Sequence, residues 1–130
     1  MTQSQPVLIG VDVGSTHMSG GLVTPGGEVL SATETRTHRD GPGTALDTIL
    51  GIVSHLLAQA SDHGCPVNGI GIGLPGIVDI EGGTMRKGFH RVPELVGAPL
   101  VELIRARSGV ACSPSCLARS FWCSWRRVAA

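Results

Sequence analysis

The chain has 130 residues, one domain's worth, and its ten Lys and Arg are balanced by ten Asp and Glu, so no long-range field favours nucleic acid or an anionic membrane. Its 19 glycines fall at turns and strand ends without a repeat, which excludes a fibrous or low-complexity chain. The opening MTQSQP is not a basic-then-apolar leader and no apolar run nears membrane-spanning length, so a cytoplasmic protein is expected.

Residues 1–6 read as a disordered N-terminus. Val7 to Val13 is a near-continuous apolar run, the pattern of a strand covered on both faces. A second strand follows over Met18 to Thr24, and Thr24-Pro25-Gly26-Gly27 has turn chemistry. Glu28 to Thr37 alternates as a third strand, broken by the polar run His38 to Gly43. Thr44 with Asp47 resembles a capping box. Leu46, Ile49, Leu50, Val53, Leu56, Leu57 and Ala60 then keep helical spacing until Gly64 and Pro66 end the helix. Val67 to Leu74 is a fourth, apolar strand, followed by an irregular glycine-rich stretch. Pro99 opens a short helix with Leu100, Leu103 and Ile104 inward, closed by Gly109. The predicted order is β-β-β-α-β-loop-α.

Two glycine-containing segments carry the candidate chemistry. In Gly10-Val11-Asp12-Val13-Gly14-Ser15-Thr16 a carboxylate sits inside an apolar strand, where it is costly unless paired, hydrated or near a metal. Gly14 would let backbone approach phosphate oxygens, with Ser15, Thr16 and local amides as donors. Asp12 would serve a hydrated Mg²⁺. The competing reading, an Asp that caps the hairpin through its own backbone, has equal standing on these residues alone. The second segment, Gly71-Ile72-Gly73-Leu74-Pro75-Gly76, fits the dinucleotide fingerprint. No helical period follows it, however, so a Rossmann site is disfavoured against a buried strand that simply ends in glycines.

Taken together, Ile9 to Thr16, the glycine-rich second strand and Gly69 to Asp79 resemble the ROK family of sugar kinases, sugar-responsive repressors and uncharacterised reading frames. The resemblance runs from about residue 7 to residue 110. It implies an α/β fold, the N-terminal lobe of an actin-like (ribonuclease H-like) ATPase, here incomplete. It implies that Asp12, Gly14, Ser15 and Thr16 bind phosphate, with Asp12 holding Mg²⁺ through water, and that ATP and Mg²⁺ are the cofactors. Pro75, Gly76, Ile77 and Val78 would form the rim of a sugar pocket. The implied partners are a small-molecule sugar and a nucleotide, with no nucleic acid and no membrane. A homo-oligomer is allowed by the family but not supported by this chain itself.

The chain also departs from the family pattern. His17 stands where the kinases usually have Lys, and we assign it no role. Arg91, in Arg91-Val92-Pro93-Glu94-Leu95, replaces the rim Asn that hydrogen-bonds the sugar, which leaves the sugar preference open. After Val110 the resemblance implies an Asn-Asp motif with the general base, yet no Asp or Glu follows Glu102. Residues 111–130 instead hold three of the four Cys and both Trp. Zinc binding by Cys112, Cys116 and Cys123 has poor spacing, and a basic amphipathic segment around Trp122 to Arg127 would be short. The composition favours a shifted reading frame. The chain is therefore expected to be an inactive part of a hexose kinase without a catalytic base. The alternatives are the sugar-sensing lobe of a regulator lacking its helix-turn-helix and a non-functional product.

Overall fold

A computed structural model describes residues 5–74, 76–79, 84–88 and 92–110, with backbone alone at 77, 78 and 88. Most of the expected disordered N-terminus and the whole tail from residue 111 lie outside the described residues.

Strands β1 (Val7–Val13), β2 (His17–Val23) and β3 (Val29–Arg36) form an antiparallel meander, and β4 (Val67–Gly73) adds parallel to β1, in the sheet order β3-β2-β1-β4. The β2–β3 turn is built as its sequence predicts: the Gly27 amide donates to the Thr24 carbonyl at 2.9 Å, with Pro25 fixing φ at the first corner. Helix α1 (Ala45–Asp62) makes the crossover between β3 and β4.

Most of a helix's stability in a protein comes from packing its apolar face, so the buried stripe of α1 decides. Ile49, Ile52, Val53 and Leu56 are at most 3 % exposed, and each such side chain contributes about 1.5–3 kcal/mol on burial. They meet Ile9, Val11, Met18, Leu22, Ile70 and Ile72, all buried. Gly20 lets α1 sit close to the sheet: a Cβ there would come within 2.7 Å of Ile52 Cγ2 and 3.0 Å of Leu56 Cδ1. The helix ends in a Schellman motif, with the Cys65 amide donating to the Ala60 carbonyl, the Gly64 amide to that of Ser61, and Gly64 at φ +69°.

The structure corrects four expectations. The glycine-rich stretch after β4 is not an irregular loop but holds a two-stranded antiparallel hairpin, β5 (Gly76–Asp79) and β6 (Thr84–Gly88). Backbone pairing supplies an order that its side-chain pattern does not announce. The Thr44–Asp47 capping box does not form: Thr44 makes no side-chain cap bond and its hydroxyl donates to the Gly41 carbonyl at 2.6 Å. In α2 (Leu100–Ser108) Val101 is buried with Leu100 and Ile104, while Leu103 is only partly buried. Full cover of both sheet faces is also not met. Alternation turns Val7, Ile9, Val11 and Val13 toward α1 and Leu8 away from it, and Leu8 is 48 % exposed.

Candidate functional site

Strand alternation places Asp12 on the sheet face opposite α1, since Val11 and Val13 point into the core. Its register partners are Ser19 on β2 and Gly73 on β4. Two residues back, Gly10 is flanked by Gly21 and Gly71. On this face the carboxylate therefore has positions without side chains toward β4, at Gly71 and Gly73, and Ser19 toward β2. Asp12 itself is buried, 6 % exposed. Because β1 and β4 are parallel, their carboxyl ends coincide. The first motif and the start of the second thus meet at one edge of the sheet, the position where open α/β sheets bind ligands.

The connection from β1 to β2 is three residues long, and Gly14 is required in it by space rather than by φ. Its amide donates to the His17 carbonyl at 2.9 Å. A Cβ on Gly14 would stand 2.5 Å from that same oxygen. Thr37, just past β3, anchors the tip twice: its hydroxyl donates to the Gly14 carbonyl at 2.7 Å and its amide to the Thr16 carbonyl at 2.9 Å. The Ser15 and Thr16 amides make no backbone hydrogen bond among the described residues, and Thr16 is exposed. The tip therefore presents amide and hydroxyl donors to an anion beside a buried carboxylate. His17, given no role from sequence, places Nδ1 3.2 Å from the Thr16 hydroxyl.

The expected rim residues are only partly described. Gly76 begins β5, with its amide donating to the Leu74 carbonyl at 3.0 Å. Ile77 and Val78 lie on β5, opposite Lys87 and Met85. Pro75 and Arg91 lie outside the described residues.

Sequence reasoning missed a cluster at the amino end of α1. Glu94, in a single 3₁₀ turn over Pro93–Leu95, accepts through Oε2 from the Ala45 amide at 3.1 Å and lies 2.8 Å from His38 Nε2. It, and not Thr44, caps α1. The pair is partly buried, with side-chain exposures of 27 % for His38 and 17 % for Glu94. Oε1 is buried without a hydrogen-bond partner among the described residues. An open cleft of about 470 Å³ lies here, lined by His38, Gly41, Pro42, Gly43, Pro93 and Glu94. No local signal marks these contacts, since 56 residues separate His38 from Glu94.

Burial by itself would raise the Glu94 carboxyl. The Ala45 amide, its own amide and His38 together outweigh burial and hold it below the ordinary value of 4.5. A carboxyl depressed in the folded state contributes stability that is complete above 4.5 and is lost as pH falls through the folded value. The stability difference between the wild-type chain and Glu94→Gln in urea unfolding should therefore shrink over the interval below pH 4.5. A difference that does not change over that interval would mean the carboxylate charge contributes nothing.

Comparison with known proteins places this geometry in a family. The family model described as ROK family matches residues 8–130. The chain belongs to the ROK family. It is 32% identical over 102 residues to the glucokinase of Thermotoga maritima, an alignment covering 78% of this chain and 31% of that protein. The structure of a ROK family glucokinase from Streptomyces griseus, in complex with glucose and AMPPNP, is similar at a TM-score of 0.65 and 30% identity over 82% of this chain and 32% of that one. A ROK family transcriptional regulator, a homolog of the E. coli MLC protein, has the same fold at a TM-score of 0.66 and 22% identity, over 82% of this chain and 26% of that one. The chain thus spans about a third of the length of the glucokinases it matches. Its fold is the actin-like N-terminal portion of the ROK sugar kinases, with the β-β-β-α-β order expected from sequence. Among the described residues no helix is long and apolar enough to cross a membrane.

Proposed function

We propose that this chain supplies the phosphate-binding side of an ATP-dependent hexose kinase of the ROK family. The observation that carries the reading is the pairing of β1 with β4, which sets Asp12 opposite Gly73 beside the Ser15 and Thr16 amides. Asp12, Gly14, Ser15 and Thr16 are the proposed phosphate residues, and Pro75, Gly76, Ile77, Val78 and Arg91 the proposed sugar rim. The glucose and AMPPNP held by the Streptomyces griseus glucokinase support a sugar and a nucleotide as ligands.

The residues present fit a hydrated Mg²⁺ and not a protein cage. Among the described residues no group of three or more His, Cys, Asp or Glu is placed to hold a metal. Mg²⁺ keeps several waters and takes one or two carboxylates together with substrate phosphates, so Asp12 alone suffices. When bound, the ion supplies positive charge against the phosphates. The chain's own part is to bind and orient: Gly14 makes room for the His17 carbonyl and so shapes the tip, the tip donates hydrogen bonds, and Asp12 fixes the metal's position.

The sugar hydroxyl needs a base, worth about 10²–10⁴-fold. We assign that base to a segment following Val110 in a longer protein, because residues 103–130 contain no Asp or Glu. A regulator's sugar-sensing lobe is the second reading, favoured by the shared fold of the MLC homolog. The two are separated by a coupled ATP–hexose assay on the 130-residue chain beside a chain carrying an in-frame second lobe after Val110. Turnover only by the longer chain is the expected result. Turnover by both would remove the base from the second lobe, and hexose binding without turnover by the longer chain would favour the regulator.

A further inference from the structure

The loop between β3 and α1 is fastened at unusual places. At one end Thr37 binds both carbonyls of the hairpin tip, those of Gly14 and Thr16. At the next residue His38 meets Glu94, and the carboxylate oxygen it meets also holds the first amide of α1. Between these points Gly41 and Gly43 have φ of +115° and +81°, so Cα substituents do not stiffen the segment. The local capping residue, Thr44, is turned back to the Gly41 carbonyl. The cap is thus handed to a residue from the segment that follows Arg91, the position proposed for the sugar rim.

We infer that Glu94 is a positioning residue that locks the phosphate hairpin to the rim segment, through His38 and the two bonds of Thr37. A cap alone would not explain why one oxygen serves two elements while the other is buried with no hydrogen-bond partner among the described residues. An unsatisfied buried acceptor is destabilising, and here it accompanies a link across the site edge. With the link made, Gly14 and Thr16 have one position relative to residues 92–95. Without it, the loop's remaining hydrogen bonds and ion pair among the described residues are those of Thr37, the 3.2 Å bond from the Gly41 amide to the His38 carbonyl, those of the Thr44 hydroxyl and carbonyl, and an exposed 3.6 Å contact between Arg39 and Asp40, and none of them reaches residues 92–95. That the lock serves phosphoryl transfer rests on the proposed kinase reading; the lock itself does not.

Amide hydrogen exchange on the 130-residue chain tests it without any ligand. Removing one net hydrogen bond corresponds to about fivefold in a local opening equilibrium. In Glu94→Ala the Ala45 and Thr37 amides should both exchange about fivefold faster, with Ile9 and Val11 in β1 unchanged. In His38→Ala the Thr37 amide should speed up by a similar factor while Ala45 stays protected, because the cap survives. Should Glu94→Ala not fold, Glu94→Gln, which keeps an oxygen for both donors, should retain most of the protection at Thr37. Acceleration confined to Ala45 in Glu94→Ala would reduce Glu94 to a helix cap and overturn the inference. So would unchanged Thr37 exchange in His38→Ala, or a uniform acceleration that includes β1, which would make the contact a general prop of the fold.

Discussion

Replacing Asp12 by Ala in a chain that carries both lobes is expected to lower kcat about 10²–10³-fold, while the sugar KM changes by less than about threefold. The split follows from where the residue stands. Asp12 lies at the carboxyl end of β1 beside Gly73 and the hairpin tip, on the proposed phosphate side and not on the rim. A carboxylate that fixes a cation against phosphates acts on charge that develops in the transition state, so its loss appears in kcat. Asp12→Asn keeps the shape and removes the charge. It should lose nearly as much activity as Asp12→Ala while unfolding at an unchanged urea concentration. Parallel losses in kcat and sugar affinity would show that Asp12 only holds the hairpin together, and an unchanged kcat would remove it from the mechanism.

Gly14→Ala should have the largest effect on the described fold. The new methyl would lie 2.5 Å from the His17 carbonyl oxygen, and that oxygen is held in place because it accepts from the Gly14 amide itself. A flexible side chain could move aside, but here the obstacle is backbone in a three-residue connection. Relief requires opening the Gly14–His17 bond or displacing β2, whose Met18 and Leu22 are buried in the core. Overpacking of this kind costs about 1–3 kcal/mol, and each kcal/mol corresponds to about 4 °C for a domain of this size. A thermal or urea transition that does not move would show that the tip adapts without cost, and would weaken the case for a fixed phosphate cradle. Binding of Mg²⁺–AMPPNP to the same variant separates the two effects, since loss of binding at a temperature where the variant is folded reports the tip alone.

Most of the fold was legible locally. Val7–Val13 and the helix at Ala45–Asp62 appear within a residue or two of where hydrophobic period places them, because their order rests on burying a continuous run and a stripe. The turn at Thr24–Gly27 and the Schellman end of α1 at Gly64 were legible for another local reason: Pro and Gly restrict or release φ wherever they stand. The oddity of Asp12 was visible too, since an acidic residue in an apolar strand calls for an explanation whatever the fold.

What surrounds Asp12 was decided only in three dimensions. Its neighbour Gly73 comes from a strand 60 residues later, and parallel register depends on how the α1 crossover packs, which no short pattern encodes. The pairing of β5 with β6 was missed because strands of four and five residues, one opening and the other ending on glycine, show little alternation, and only cross-strand pairing orders them. The cap of α1 shows the limit most plainly. Thr44 and Asp47 satisfy the local signature, yet Glu94 takes the Ala45 amide, because packing brings that carboxylate to the helix end together with His38. Periodicity, caps and turns are written within a few neighbouring residues, so the sequence alone determines them. A site assembled from Asp12, Gly73, Thr37 and Glu94 depends on contacts whose loop-closure entropy is recovered only when the whole core forms.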